Sequence, residues 1–153
     1  MRPPWRSFAL AMVLVTSACD DRRTGPTGPS LVTPSEQEVP TVDGRYEGSV
    51  AAWLNGEPIG TYAMTLTVTQ SGNQISVDGT IDSDAIVMEP ASGTITADGT
   101  FTAALADDST AACGRRTNRR MEIRFRAGTA VMESSWQSER CGDARFEATL
   151  SKV

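Results

Sequence analysis

Residues 61–82, Thr-Tyr-Ala-Met-Thr-Leu-Thr-Val-Thr-Gln-Ser-Gly-Asn-Gln-Ile-Ser-Val-Asp-Gly-Thr-Ile-Asp, decide the fold of this chain. Apolar and polar side chains alternate on both sides of Ser71-Gly72, which is the pattern of two β-strands joined by a tight turn. A turn at these two residues predicts four cross-strand pairs: Tyr62 with Ile81, Met64 with Gly79, Leu66 with Val77, and Val68 with Ile75. The large apolar side chains then share one face, and the other face carries Thr65, Thr67 and Thr69. Because the turn position agrees with the face pattern, the stretch predicts an antiparallel hairpin with one buried face.

The alternating pattern continues on both sides of this hairpin, from residue 44 to the end of the sequence. Asp98-Gly99 and Ala127-Gly128 are predicted tight turns, and Pro90, which lacks a backbone N–H, predicts an edge or a bulge. No stretch after the N-terminal segment has helical periodicity. Besides the hairpin, the predicted strands are residues 45–53, a broken strand at 85–88 and 93–97, and residues 101–105, 121–126, 129–137 and 145–151. About eight antiparallel strands in serial hairpins predict an all-β, up-and-down barrel, with a β-sandwich as the alternative.

The first residues of the chain have the three parts of a secretory signal. Arg2 and Arg6 give a positive start, residues 8–15 are apolar, and small residues precede Cys19. The apolar segment is much shorter than the ~20 residues of a membrane-spanning helix. Thr16-Ser17-Ala18-Cys19 resembles the lipobox of bacterial lipoproteins, with threonine where an aliphatic residue is usual. The resemblance implies that residues 1–18 are a signal peptide and that Cys19 is lipidated; simple cleavage near the same place is the alternative.

Lipidation of Cys19 would export the protein and anchor it to a membrane of the bacterial cell envelope, on the periplasmic or outer-membrane face. Residues 19–42 are polar and rich in Pro, Gly and Thr, and they predict a flexible tether between the lipid and a β-barrel-like domain at 43–153. The other two cysteines, Cys113 and Cys141, then form an even pair, which predicts a disulfide in an oxidising compartment. The predicted Ala127-Gly128 hairpin supports this pairing, because its register places Cys141 opposite residue 114.

Gly44-Arg45-Tyr46 lies on the first predicted strand, where lipocalins carry a Gly-x-Trp motif. By this tripeptide and by its strand pattern, the segment 43–153 resembles the lipocalin-like barrels of bacterial envelope lipoproteins. The interior of such a barrel is open to two interpretations. Small residues at predicted inward positions either leave a cavity for an apolar ligand or let the barrel pack shut; examples are Gly79, Ser134 and Ala148.

Composition limits the functions that the chain can carry. The 153 residues have a net charge of −5, and removal of Arg2 and Arg6 with the signal leaves −7. This acidic balance argues against nucleic acid as a general partner. The sequence has no histidine, which removes the commonest general base and the commonest metal ligand. We therefore predict a non-enzymatic protein with no catalytic residues, no metal site and no cofactor.

The segment from Asp107 to Arg120 is predicted as the longest loop of the domain, and long loops often carry function. The segment and the strand after it are rich in arginine, whose guanidinium binds oxyanions through paired hydrogen bonds. The candidate anion-binding residues are Arg115, Arg116, Arg119, Arg120 and Arg124. The alternative is a solvated face, neutralised by nearby acidic residues such as Asp107, Asp108, Glu122, Glu133 and Glu139.

Together these patterns predict a lipid-anchored envelope lipoprotein that binds a small apolar ligand in its barrel or an anionic envelope component at its arginines. The alternative is a structural or protein-interaction module, such as an inhibitor or an assembly factor, with a solid barrel.

Overall fold

The structure, a computed structural model, describes residues 38–84 and 86–153. Its nine strands are β1 (Gly44–Leu54), β2 (Glu57–Ser71), β3 (Gln74–Ile81), β4 (Ala91–Thr94), β5 (Thr100–Ala104), β6 (Asp108–Thr110), β7 (Gly114–Arg126), β8 (Thr129–Ser138) and β9 (Gly142–Lys152). In the described ranges there is no helix, and so none that is long and apolar enough to span a membrane. The predicted signal peptide, Cys19 and most of the predicted tether lie outside these ranges.

Eight of the strands form one antiparallel meander in the order β4-β3-β2-β1-β9-β8-β7-β5, and β6 pairs with the start of β7. The last strand returns to the first, because Tyr46 pairs with Lys152 and Leu54 pairs with Ala144. Between β4 and β5 the sheet is joined by a bridge from Ile95 to Phe101. The result is a nearly closed, eight-stranded up-and-down barrel, consistent with a lipocalin-like barrel. The predicted fold class is confirmed, and the sandwich alternative is excluded.

The hairpin of residues 61–82 is present, but its turn lies one residue later than predicted. Ser71 pairs with Gln74, so Gly72-Asn73 is the central dipeptide and Val68 faces Val77. Gly72 has a φ of 62°, and glycine at the first central position is typical of a type II′ turn. All four predicted pairs are therefore wrong by two residues. A shift of two residues preserves the faces, and the apolar side chains that were predicted to face inward still do so.

Two other predictions about strands are wrong. The predicted loop from Asp107 to Arg120 is a hairpin, in which β6 pairs with β7 from Asp108–Arg116 to Thr110–Gly114. Its side chains are mostly polar on both faces, so the sequence lacks the apolar alternation that indicates a strand. In the predicted broken strand, residues 86–88 are not extended strand, Ala85 lies outside the described residues, and β4 begins only after Pro90.

Large apolar side chains fill the half of the barrel that contains the tight turns after β2, β4 and β7. The largest fully buried residues are Tyr46, Phe101, Leu66, Ile95, Ile123, Leu150, Val50 and Val77. The Tyr46 hydroxyl donates a hydrogen bond of 2.7 Å to the Val42 carbonyl. Burial, with a smaller contribution from Asp43, raises the pKa of Tyr46, so the phenol stays protonated. We call this half the closed end.

The chain enters the barrel at the closed end. The Val42 N–H donates to Oε1 of Gln70 at 2.7 Å, and Nε2 of the same glutamine donates to the Pro40 carbonyl at 3.0 Å. Val42 is buried and Val39 packs against the core. The last residues of the predicted tether, 38–42, therefore pack on the domain and extend it in the N-terminal direction.

The opposite end of the barrel carries the predicted disulfide. Arg126 pairs with Thr129 across Ala127-Gly128, as predicted. Cys113 and Cys141 are bonded, with their Cα atoms 5.0 Å apart. The predicted pairing is confirmed.

Candidate functional site

A cavity of about 190 Å³ opens at the disulfide end of the barrel. We call it the mouth cavity. Its wall is mainly apolar and combines inward side chains from six elements, including Leu54, Tyr62, Ile81, Met121, Trp136 and Phe146. The pairing of inward residues along β8 and β9 explains the space: Ser134 faces Phe146, and Trp136 faces Ala144, so each large side chain lies opposite a small one. Space therefore remains where the closed end is filled.

The rim of the mouth cavity is apolar and faces solvent. Ile59 on β2 is 48% exposed and Val87 in the β3–β4 connection is 78% exposed, and both contribute to the wall. Exposed apolar side chains scattered over a surface need no explanation, whereas these two border the same cavity.

Two arginines of β7 point into the same cavity. Arg116 and Arg119 are three positions apart and would lie on opposite faces of a regular strand. The pairing of β7 with β8 shifts between Thr117 and Arg120, and Asn118 within this irregularity has a φ of 52°. The extra residue turns both guanidinium groups inward, as β-bulges do when they redirect a side chain.

The two arginines form a compact cluster with Glu89 and Asp108, which we call the charge cluster. Arg116 Nε donates to Asp108 Oδ1 at 2.7 Å, and its Nη2 lies 2.9 Å from Glu89 Oε1. Arg119 Nη2 lies 2.5 Å from the same Glu89 oxygen, and its Nη1 lies 3.2 Å from Asp108 Oδ2. Arg119 Nη1 also donates to the Ala106 carbonyl at 2.5 Å. The cluster thus ties the β3–β4 connection, β6 and β7 together around the mouth.

The charge cluster is electrically balanced. The hydrogen bond from Arg116, opposed in part by desolvation, holds the pKa of Asp108 below its ordinary value. The same bond raises the pKa of Arg116. The cluster thus places two guanidinium groups against two acidic side chains. The Arg116 guanidinium also lies over the Trp136 ring, 5.5 Å from its centre, which is within the range of a cation–π contact.

One donor of the cluster has no partner. The Arg119 side chain is only 4% exposed, and its Nε is the one buried side-chain nitrogen or oxygen without a hydrogen bond among the described residues. Most buried polar groups in proteins are hydrogen-bonded, because an unpaired donor loses its interaction with water. Because the Nε atom is itself buried, it is closed to solvent as well as unpaired.

The structure separates the five arginines that the sequence suggested as one anion-binding group. Arg116 and Arg119 lie in the charge cluster, whereas the other three lie outside the mouth cavity. Arg115 pairs with Asp107 at 3.0 Å, Arg124 pairs with Glu122 at 2.5 Å, and Arg120 donates to Ser135 Oγ at 3.3 Å. The neutralising acids that the alternative named are thus in contact with several of these arginines. Anion binding stays a prediction.

Sequence reasoning did not identify Glu89 as a site residue, nor the apolar rim. Glu89 lies in an irregular connection and meets Arg116 across 27 positions of sequence. The local indication of the irregularity in β7 was Asn118, since asparagine adopts positive φ more readily than most residue types.

The described residues offer no group of three or more His, Cys, Asp or Glu side chains that could hold a metal ion. No protein-family model matches the chain, and no curated protein matches it at a significant level.

Proposed function

We propose that this protein is a non-enzymatic, lipid-anchored lipoprotein of the bacterial cell envelope that binds a small apolar ligand in the mouth cavity. The observation that carries the proposal is the apolar cavity of about 190 Å³ at one end of the barrel. A dry apolar cavity of about 150 Å³ is large enough for benzene. The solvent-exposed rim residues Ile59 and Val87 give an apolar molecule a route into this space.

The way the chain enters the barrel is compatible with a lipid anchor. Residues 38–42 join the barrel at the closed end, beside the turn after β2. The mouth cavity lies at the other end of the barrel. The lipobox-like Thr16-Ser17-Ala18-Cys19 remains the support for lipidation and export.

The two alternatives receive less support. An anionic component would meet arginines that are mostly paired with carboxylates already. One observation favours an interaction module with a solid barrel. The mouth cavity is smaller than typical ligand pockets, which have volumes of about 300–1,000 Å³. Under that alternative the exposed rim at Val87 would contact a protein partner instead of admitting a ligand.

Ligand binding is tested by titrating the mature protein with toluene and following the methyl resonances of Met121 and Ile81 by NMR. We expect saturable shifts at these cavity residues. Ala144→Leu fills the cavity and should abolish the shifts, whereas Val131→Leu, on the exposed face of β8, should leave them unchanged. Circular dichroism checks that both variants are folded. Toluene binding that persists in folded Ala144→Leu, or no binding to the wild type, would contradict the proposal.

Native mass spectrometry of protein purified from its own host separates the two classes of function. A co-purifying small molecule supports the ligand-binding function. A bare protein mass together with a stoichiometric protein partner supports the interaction module.

A further inference from the structure

A second concave surface lies on the outer wall of the barrel at the disulfide end. It is a groove of about 830 Å³ that crosses β7, β8 and β9 and reaches the end of β1, and we call it the outer groove. Its volume lies within the range of typical ligand pockets, about 300–1,000 Å³. We propose that the outer groove binds an uncharged saccharide, a function separate from the apolar ligand of the mouth cavity.

The strand register places four outward side chains in one row across the groove. Arg120 of β7 pairs with Ser135 of β8, and Ser135 pairs with Arg145 of β9. Arg145 in turn pairs with Trp53 of β1. Side chains paired in this way share one face of a sheet, and here it is the outer face, since Arg120 and Arg145 are exposed. The small Ser135 lies between two long side chains and contributes to the wall of the groove.

The outer groove offers hydrogen-bond donors that the protein itself does not use. Arg120 Nε donates to Ser135 Oγ at 3.3 Å, but within residues 38–84 and 86–153 its two terminal nitrogens have no hydrogen bond and no acidic partner. Gln137 Oε1 accepts from Asn118 Nδ2 at 2.5 Å, which leaves the Gln137 amide nitrogen without a partner in the same ranges. Both side chains belong to exposed residues of the groove wall, so a ligand can reach these donors.

The groove also offers an acceptor. Asp143 lies on β9 opposite Gln137 and is exposed. Its backbone N–H donates to Asn55 Oδ1 at 3.0 Å, whereas its carboxylate has no ion pair or hydrogen bond in the part of the chain that the structure describes. A hydroxyl group both donates and accepts hydrogen bonds. A ligand with several hydroxyl groups can therefore use Arg120, Gln137 and Asp143 together.

The charges around the groove favour an uncharged ligand. Arg120 and Asp143 carry opposite charges, and Arg145 is already paired with a glutamate of its own strand. The next row of outward side chains on β7, β8 and β9 consists of Glu122, Glu133 and Glu147. An oxyanion beside Arg120 would lie near these carboxylates, and a cation beside Asp143 would lie near Arg145, two positions along the strand. Like charges at such distances repel each other, and an uncharged saccharide avoids both conflicts.

Two indole rings supply apolar surface for the ring of a sugar. Trp53 and Trp136 are partly buried and line the groove. The Arg145 guanidinium lies 5.8 Å from the centre of the Trp53 ring, and this cation–π contact helps to hold the ring in place. A pyranose ring carries C–H groups beside its hydroxyls, and C–H groups pack favourably against aromatic rings. The outer groove thus combines apolar surface with free donors and a free acceptor.

NMR titration of the mature protein with uncharged disaccharides tests the proposal. The probes are cellobiose, maltose, lactose and N,N′-diacetylchitobiose, which differ in linkage and in the orientation of their hydroxyls. The sequence has three tryptophans, and Trp5 lies in the predicted signal peptide, so the indole N–H resonances of the mature protein belong to Trp53 and Trp136. We expect at least one disaccharide to shift the Trp53 resonance saturably. No shift with any of them would overturn the proposal.

Two charged sugars, glucuronate and glucosamine, test the charge argument in the same titration at neutral pH. Neither should shift the Trp53 resonance at the concentration at which the disaccharide saturates it. A shift that saturates at a lower concentration of either charged sugar would overturn the assignment of an uncharged ligand.

A pair of variants of β7 tests the position of the site. Arg120→Gln removes the free guanidinium and should weaken disaccharide binding about tenfold or more, the loss expected for a hydrogen bond from a charged donor. The matched control is Arg126→Gln, an exposed arginine of the same strand outside the groove, and its affinity should equal that of the wild type. Circular dichroism checks that both variants are folded. Equal affinity of Arg120→Gln and the wild type, or equal losses in both variants, would overturn the assignment to the outer groove.

Discussion

Reduction of the Cys113–Cys141 disulfide should lower the melting temperature of this protein without abolishing its fold. The bond joins residues 28 positions apart, at the end of the barrel that contains the mouth cavity. Both cysteines are half-buried, so a small phosphine reductant can reach the sulfurs.

The size of the effect follows from the loop that the bond closes. In the chain-entropy model a loop of this length stabilises the native state by about 3.5 kcal/mol, because it restricts the unfolded chain. For a domain somewhat larger than 100 residues, such a loss corresponds to a fall of about 15 °C in melting temperature. Folding should survive, because β7 and β8 remain joined by their backbone pairs and the closed end keeps its buried core.

The assay is thermal unfolding followed by circular dichroism, with and without reductant. The variant Cys113→Ala with Cys141→Ala should melt at the temperature of the reduced wild type and should not respond to reductant. Equal melting temperatures for the reduced and oxidised wild type would refute the entropic argument. A reduced protein that is unfolded at room temperature would refute the claim that the core alone maintains the barrel.

Three further predictions concern the charge cluster and the barrel wall. Arg119→Met should destabilise the domain by about 1–2 kcal/mol in urea unfolding. This is less than the about 3–5 kcal/mol of a fully buried pair, because the Glu89 and Asp108 side chains are 38% and 30% exposed. Adding Glu89→Gln should recover part of the lost stability, and strictly additive effects of the two substitutions would contradict the coupling of Arg119 with Glu89. Asp108→Asn should destabilise the protein at neutral pH. The pKa of Asp108 is depressed in the folded protein. The contribution of its carboxylate to stability is therefore complete above the unfolded pKa of about 3.9 and is lost as the pH falls through the folded pKa. The stability difference between Asp108→Asn and the wild type should shrink in acid, and a constant difference would contradict the ion pair. Gly48→Ala should destabilise by at least about 2 kcal/mol, because its Cβ would lie 2.3 Å from a backbone oxygen of β9; Ser49→Ala, at an exposed neighbouring position, is the control, and equal effects would contradict the steric reason.

The alternation of apolar and polar residues predicted which side chains face the barrel interior, but it did not predict the register of every strand pair. The face pattern of residues 61–82 determines which side chains point inward. It does not distinguish a turn at Ser71-Gly72 from one at Gly72-Asn73, because moving the turn by one residue shifts each cross-strand pair by two residues and leaves the same side chains inside. The Ala127-Gly128 turn was placed correctly, and with it the cysteine pair. Both successes depend on apolar alternation that extends on each side of a turn.

The candidate site could not be predicted in the same way, because its residues do not alternate. Arg116 and Arg119 share a face only because β7 is irregular between them. Their partner Glu89 lies in a connection without regular structure, far away in sequence. An ion pair of this kind depends on which strands become neighbours, and that is fixed only when the whole barrel has formed.

The two ends of the barrel are stabilised by different interactions, and the difference fits a binding role for the mouth. At the closed end, tight turns and large buried side chains hold the strands together. At the mouth, where a cavity replaces part of the core, the disulfide and the charge cluster join strand ends that apolar packing leaves less well supported. A core filled at both ends would gain stability from apolar contacts, and the partly buried charges cost desolvation energy that such contacts would avoid. At the mouth, a disulfide and ion pairs thus replace part of the apolar packing and hold the strand ends in place. This arrangement keeps the cavity open.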